Sequence, residues 1–352
     1  MTRKKSVCNS VFATPADPTT FLKKTFSCLK RCGRNLPVYV RAIILAYILC
    51  SFLPEPAAAE VVGALMPAKD IPHYTAMHNA MLNEFKARGN PPKFILQNPA
   101  ASADSWKNAI RKFDVLGSRV LVTYGSAVSA FVTRLKPEFP VVYGGAFYPD
   151  ESGVAGNVTG MDATMPLAEL LQNLKTISNY SRLAILYSSR ERDSVLEMEA
   201  AERIVLQSGG KVIKIDAHDV NFLDQADYDV VFSADFFDLS GAEAALLTSA
   251  SNINSRENIG LIAKNLLTNG KASASVFSGT CEMGILISSS ASPEYLGKGM
   301  ALKIMEVLEG ESPANIPPGR ASKSGMTVNL TTAKKLGFSV PFELLGTAEI
   351  VK

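Results

Sequence analysis

From residue 60 onward, short apolar runs of five to seven residues alternate with longer stretches whose apolar positions recur at helical spacing. Uniformly apolar runs are what parallel strands require when helices cover both faces of their sheet. The pattern predicts strands over 61–66, 93–97, 119–123, 140–143, 182–187, 211–216 and 229–233. Helices are predicted between them over 74–88, 104–116, 126–135, 166–178 and 194–207. Strand, helix and strand in repetition define an α/β fold with doubly wound sheets.

Local chemistry marks several of these ends. Ser194 is expected to cap its helix, Gly209 and Gly210 to end it, and Pro166 to occupy a first helical turn, where a missing amide costs nothing. The segment YPDESGVAGNVTGMDATMP carries four glycines or prolines between Pro149 and Gly160 and is expected to cross between two lobes. Residues 242–270 allow three assignments: one helix, two helices around a loop, or a helix with a short strand at 260–263. Strand-like runs at 274–277, 284–288 and 326–330 surround a helical pattern at 293–308, so the lobes are expected to be assembled from separated parts of the chain.

Length supports two lobes, because 352 residues at 47% hydrophobic and 20% charged exceed one ordinary core. The same figures exclude a disordered chain, a collagen and a polytopic membrane protein. Charge is divided unevenly. Residues 1–59 hold nine Lys or Arg against Asp17 and Glu55, a surplus of +7, which leaves −4 on the remainder. A nucleic-acid binder would keep its positive charge on the folded part, so nucleic acid is not expected as a partner.

The basic stretch leads into Ala42 to Leu53, twelve residues with no charge, and then Pro54, Pro56 and Ala57-Ala58-Ala59. Basic, apolar and small, in that order, points to an export signal, with cleavage expected after Ala59 and a periplasmic product starting at Glu60; an uncleaved amphipathic anchor is the alternative. Twelve helical residues reach about 18 Å, short of a roughly 30 Å hydrocarbon slab. The leader is long, and Val38 is an alternative start. Cys50 follows Leu49, whereas a lipid-modified cysteine follows a small residue.

Four of the five cysteines (Cys8, Cys28, Cys32 and Cys50) fall in this leader, leaving Cys281 without a partner for a disulfide. His73, His78 and His218 do not stand at metal-ligand spacing, and no metal or cofactor is expected. The chain has no GxSxG, no GxxxxGK[ST] and no GxGxxG, so nothing points to a hydrolase, a phosphate-binding loop or a dinucleotide enzyme.

In open α/β sheets ligands meet the loops beyond the carboxyl ends of the strands. Those loops offer Met66, the turn Tyr124-Gly125-Ser126-Ala127, Phe147 and Tyr148, Tyr187, Asp235 and Phe236 with Phe237, and Glu282. Ser126 and the Ala127 amide open a helix, whose free N–H groups would hold a carboxylate; a plain helix cap is the competing role. The aromatic residues suit a flat or apolar ligand body or, equally, the lobe cores. Asp235 and Glu282 would meet an amine or hydroxyl, or stand as exposed rim carboxylates.

The tail TVNLTTAKKLGFSVPFELL (Thr327 to Leu345), the stretch GNVTGMDATMPLAELLQNLKTI (Gly156 to Ile177), LAILYSSRERDS (Leu183 to Ser194) and EYLGKGMALKIMEVLEGESPANIP (Glu294 to Pro317) resemble the substrate-binding proteins of ABC importers. The similar branch has the type I periplasmic-binding fold and includes tryptophan and tyrosine binders. The resemblance implies two Rossmann-like doubly wound lobes joined by three crossings and hinged around a small-molecule ligand, with a membrane permease as partner. It places the first lobe at 60–157 plus 287–320 and the second at 158–286 plus 321–352. It also implies that Ser126 and the Ala127 amide take a ligand's acid group. Ser292 stands where the family's amino-acid binders carry an aspartate for the ligand's ammonium, and Lys69 in the first loop would favour an anion. Solute capture for import is thus the expected function, with a ligand sensor for a signalling receptor, or a binding fold that has lost its ligand, as alternatives. Oligomeric state is not determined by any of these features.

Overall fold

The computed structural model describes residues 60–352 apart from 69, 90, 101, 137, 218–238 and 323. The leader with its cleavage point, Lys69, His218, the expected strand 229–233, and Asp235, Phe236 and Phe237 therefore lie outside the described residues.

The first lobe is built from β1 (Val61–Leu65), α1 (Pro72–Arg88), β2 (Lys93–Gln97), α2 (Ala103–Val115), β3 (Ser118–Tyr124), α3 (Ser126–Arg134), β4 (Val141–Ala146) and β5 (Val158–Asp162). The second begins with α4 (Leu167–Ser178), β6 (Arg182–Tyr187), α5 (Arg192–Gln207), β7 (Lys211–Asp216), β8 (Ala244–Leu247), α6 (Arg256–Thr268), β9 (Ala272–Ser275) and β10 (Ile287–Ala291). The chain then returns to the first lobe for α7 (Pro293–Leu308) and β11 (Gly319–Arg320). It ends in the second with β12 (Ser324–Asn329), α8 (Leu330–Leu336), α9 (Phe342–Leu345) and β13 (Glu349–Val351).

Strand order is β11-β5-β4-β3-β1-β2 in the first sheet, all parallel, and β13-β12-β10-β9-β8-β6-β7 in the second, where β12 runs antiparallel to β10. Both sheets are wound outward from a central pair, β1 with β3 and β6 with β8. Side chains alternate between faces as the pleat requires. Ala64 and Ile185 enter the main apolar cluster, while their neighbours Leu65 and Leu186 enter separate clusters on the opposite faces.

Three crossings join the lobes, after Asp162, after Ala291 and after Arg320. The first two fall a few residues later than the expected 157/158 and 286/287. Residues 158–162 pair with β4 in the first sheet, and residues 287–291 pair with β9 and β12 in the second. Gly160, which reads as a loop signal in the sequence, lies flat against Tyr143, where a Cβ would collide with the Tyr143 backbone and ring. The return of α7 to the first lobe depends on another glycine. Gly297 brings α7 so close to α1 that a Cβ would overlap the Met77 carbonyl.

Two helix starts differ from expectation. The first turn of α5 begins at Arg192 with Glu191 at the N-cap, so Ser194 lies inside the helix; its Oγ accepts from the Ser188 amide at 2.9 Å and meets Thr248 Oγ1 at 2.7 Å. Pro166 stands at the N-cap of α4, one residue before its first turn. Residues 242–270 form a strand, a loop and a helix, an order outside the three assignments that the sequence allowed.

Candidate functional site

The loops that follow β1, β3 and β4 make one rim, and those that follow β6, β8 and β9 make the other. On the first rim, Gly125 has φ of 76° and yields the space beside it to the Tyr74 ring. Ser126 then opens α3 fully buried. Its Oγ donates to the Phe147 carbonyl at 2.7 Å and accepts from the Phe147 amide at 2.8 Å, which fastens the β3 loop to the β4 loop. The hydroxyl expected to greet a ligand is thus engaged with the chain's own backbone.

The second rim is acidic. Glu191, Asp193 and Glu197 line the start of α5, with Asp193 2% and Glu197 1% exposed. Glu197 Oε2 accepts from the Ser249 amide at 2.6 Å; the Glu191 oxygens accept from the Ser251 amide and hydroxyl, each at 2.9 Å. Asp193 is held by backbone amides of α5 and faces the hydroxyls of Ser126 and Ser249. Asp193 Oδ1, Glu197 Oε1 and Ser249 Oγ have no hydrogen-bond partner, although Ser249 lies near enough to both acids to lower their pKa values.

Burial disfavours ionised carboxyls, and the three acids repel one another. Burial first, and then Asp193, pushes Glu197 up to about 8. The same two causes raise Glu191, and burial raises Asp193. Tyr74 and Tyr148 sense the cluster: burial raises both phenols, Asp193 leads the charges acting on Tyr74, and Glu197 leads those acting on Tyr148.

The two rims are in contact. Phe277, beyond β9, stacks on His73 at 4.6 Å between centroids and meets Tyr74 at 5.3 Å and Phe147 at 5.5 Å. His73 Nδ1 bonds Ser278 Oγ at 2.8 Å, and burial lowers the His73 pKa to about 3, so the imidazole is neutral. Arg256 donates from its backbone to the Asp70 carbonyl at 2.8 Å and from Nε to the Asp70 carboxylate at 3.1 Å. A void of about 10 Å³, roughly one water in size, remains between Phe147, Leu170, Glu197, Val276 and Ser289.

Of the residues named from the sequence, Ser126, Phe147 and Tyr148 lie at this junction. Gly125 supports it, and Ala127 follows in the first turn of α3. The rest divide between the apolar cluster that also holds Phe147 and Phe277 and places away from the junction. The Tyr124 ring turns into the first-lobe core, with its hydroxyl 2.6 Å from His78 Nδ1, because alternation along β3 directs it away from the rim. Met66 and Tyr187 pack on the main apolar cluster. Glu282 is exposed on a 3-10 turn and lines a different surface hollow with Lys264, Lys335 and Lys352. Ser292 is exposed and caps α7, its Oγ accepting from the Tyr295 amide at 3.3 Å. Cys281 is buried, and burial pushes its thiol up to about 12. Among the described residues, no group of three His, Cys, Asp or Glu side chains could hold a metal ion.

Glu191, Asp193, Glu197, Ser249 and Phe277 were not anticipated. After β6 the sequence offered only Tyr187, which precedes the first acid. With the next strand expected at 229–233, the residues after it were Asp235, Phe236 and Phe237 rather than those at 248–251. The available signal was three acids closely following a buried strand in SRERDSVLE.

Two doubly wound lobes, three crossings and facing rims at the carboxyl ends of their strands make up the type I periplasmic-binding fold. Residues 82–352 match the family of ABC transporter substrate binding proteins, and the chain belongs to it. No curated protein sequence matches. Solved structures agree on the fold. The ABC domain in complex with L-Trp from Streptococcus pneumonia is 18% identical with a TM-score of 0.72, over 83% of this chain and 100% of that one. A conserved domain protein from Vibrio cholerae is 18% identical with a TM-score of 0.73, over 84% and 100%. The ligand-free, open structure of a substrate binding protein with adhesive properties from Clostridium difficile is 16% identical with a TM-score of 0.58, over 84% and 99%.

Proposed function

We propose that the protein is the exported solute-binding component of an ABC importer. It captures a small organic molecule with an aromatic or apolar body between its lobes and presents it to a membrane permease. The observation that carries this reading is the meeting of the two rims: His73, Tyr74 and Phe147 of one lobe close on Phe277 of the other. Only contacts that form across the cleft can couple a ligand to a hinge. Export after cleavage at Ala59 belongs to the same proposal, and no helix among the described residues is long and apolar enough to cross a membrane.

A carboxylate at Ser126 is not part of it. The single Ser126 O–H is donated to the Phe147 carbonyl and its oxygen faces Asp193, which leaves no free donor there for a ligand carboxylate. X-ray scattering of the purified protein, before and after release of co-purifying small molecules by gentle denaturation and refolding, tests the reading. The refolded protein should expand and should compact again when the released fraction is returned; one unchanging radius of gyration would refute hinged capture.

Phe277 also favours a second reading, a binding fold whose cleft its own side chain fills. An unchanged radius of gyration together with no co-purifying molecule is the outcome that would support it.

A further inference from the structure

The carboxyls of the second rim are built for a partner that the chain does not supply. Each of Asp193 and Glu197 has an oxygen anchored by the protein, through α5 amides for Asp193 and the Ser249 amide for Glu197. Each also has a buried oxygen, Asp193 Oδ1 and Glu197 Oε1, that accepts nothing. Ser249 supplies an independent sign. Ser249 is 1% exposed and its hydroxyl lies beside both carboxyls, close enough to lower their pKa values, yet forms no well-aligned hydrogen bond to either. The helix N-terminus accounts for acids at 191 and 193, where its dipole welcomes negative charge, but not for Glu197 in the following turn. An ammonium group offers three N–H donors and no acceptor, which matches two open carboxylate oxygens and a hydroxyl that can accept. A metal ion is the weaker match, since no three His, Cys, Asp or Glu side chains among the described residues converge suitably.

We propose that Asp193, Glu197 and Ser249 form the seat for the cationic nitrogen of an organic amine, with Phe147 and Phe277 facing its hydrocarbon body. The proposal rests on reading the cleft as a ligand site and names the ligand's class. Glu197 and Phe147 both line the one-water void at the junction. Aromatic faces near a cation add attraction of their own.

Amine binding is then linked to protons. In the empty closed cleft Glu197, raised to about 8, holds its proton, and an arriving ammonium displaces it, so binding releases a proton and tightens as pH rises from 6 toward about 8. The other titratable groups facing the seat are Glu191 on the same turn, Tyr74 from α1 and Tyr148 from the β4 loop, with Arg203 acting on Tyr148; His73 beside Tyr74 is neutral throughout.

The test is calorimetry and thermal shift on the ligand-stripped protein, using 2-phenylethylamine, putrescine, 3-phenylpropionate and calcium chloride. The expected result is that 2-phenylethylamine binds with proton release and binds at least about tenfold more weakly to Glu197→Gln, whereas 3-phenylpropionate and calcium leave the melting temperature unchanged. Ser249→Ala should weaken the amine severalfold, which keeps the test open if Glu197→Gln does not fold. If the acid or calcium binds and neither amine does, the amine seat is overturned while capture in the cleft stands. If no compound changes the melting temperature, and scattering shows no compaction with the co-purified fraction either, both readings fall.

Discussion

The two rims occupy equivalent positions in their sheets and differ in electrostatics. On the first rim Ser126 is fully engaged by Phe147, the rings are neutral, and the surface it presents is one of shape and apolar area. On the second, Asp193, Glu197 and Ser249 keep buried atoms without partners. Buried polar groups are normally satisfied, so the contrast separates a rim that completes its own bonding from one that leaves bonding capacity unfilled. Closure brings the first against the second, and specificity for charge is expected to reside in the second alone.

The most severe way to break this contrast is to remove its common element. Phe277→Ala deletes the ring that meets His73, Tyr74 and Phe147, and should cost about 3 to 5 kcal/mol or, where the lobes separate instead, enlarge the radius of gyration. Denaturant melts combined with scattering distinguish the two results.

The acids respond to pH in a direction that can be worked out. Glu197 is raised in the folded state, so folded protein holds its proton at pH values where the unfolded chain has lost it. Stability of the ligand-free protein is therefore greatest below pH 4.5 as far as this group is concerned, and is lost as pH rises to about 8. Glu197→Gln should flatten that fall and leave the variant of order 2 kcal/mol more stable than the native protein near pH 8. A variant as pH-sensitive as its parent would remove Glu197 from the account.

Ser126→Ala sharpens the comparison from the other side. It strands the buried Phe147 amide and carbonyl and should cost about 1 to 2 kcal/mol, and because the Ser126 hydroxyl also helps hold the Asp193 pKa down, the cost should grow as pH rises, measured by urea unfolding at two pH values. The smallest effect is expected at the edge of the cleft. Asp70 and Arg256 form an exposed pair, and Arg256→Ala should change stability by less than about 1 kcal/mol and lose even that in high salt.

Periodicity made most of the strands and helices legible, with β2, β6 and β7 read at their observed bounds; β6 is a buried run, whereas β2 and β7 are half-exposed edge strands whose apolar residues still stand out between polar neighbours. The signal failed where side-chain volume was the informative quantity. Gly160 looks like a loop residue until Tyr143 is seen lying across it, and so β5 was mistaken for a crossing. It failed again at 244–247, whose two alanines and two leucines carry little β preference and become a strand through pairing with β6 and β9. At the site, a list of loops captured Ser126, Phe147 and Tyr148, yet it could not tell a rim-facing ring from one turned inward, as with Tyr124.

By itself the sequence determined the class of fold, the alternation of strand and helix and a basic leader on a mildly acidic body, because periodicity and charge are local properties of a chain. Tertiary structure alone decided which sheet each strand joined, that α7 returns to lie on α1, and that Asp193 faces Ser126 across the cleft with its outer oxygen unfilled. Those outcomes depend on distances between residues far apart in sequence, and burial, which sets the chemistry of the three acids, exists only once the lobes have met.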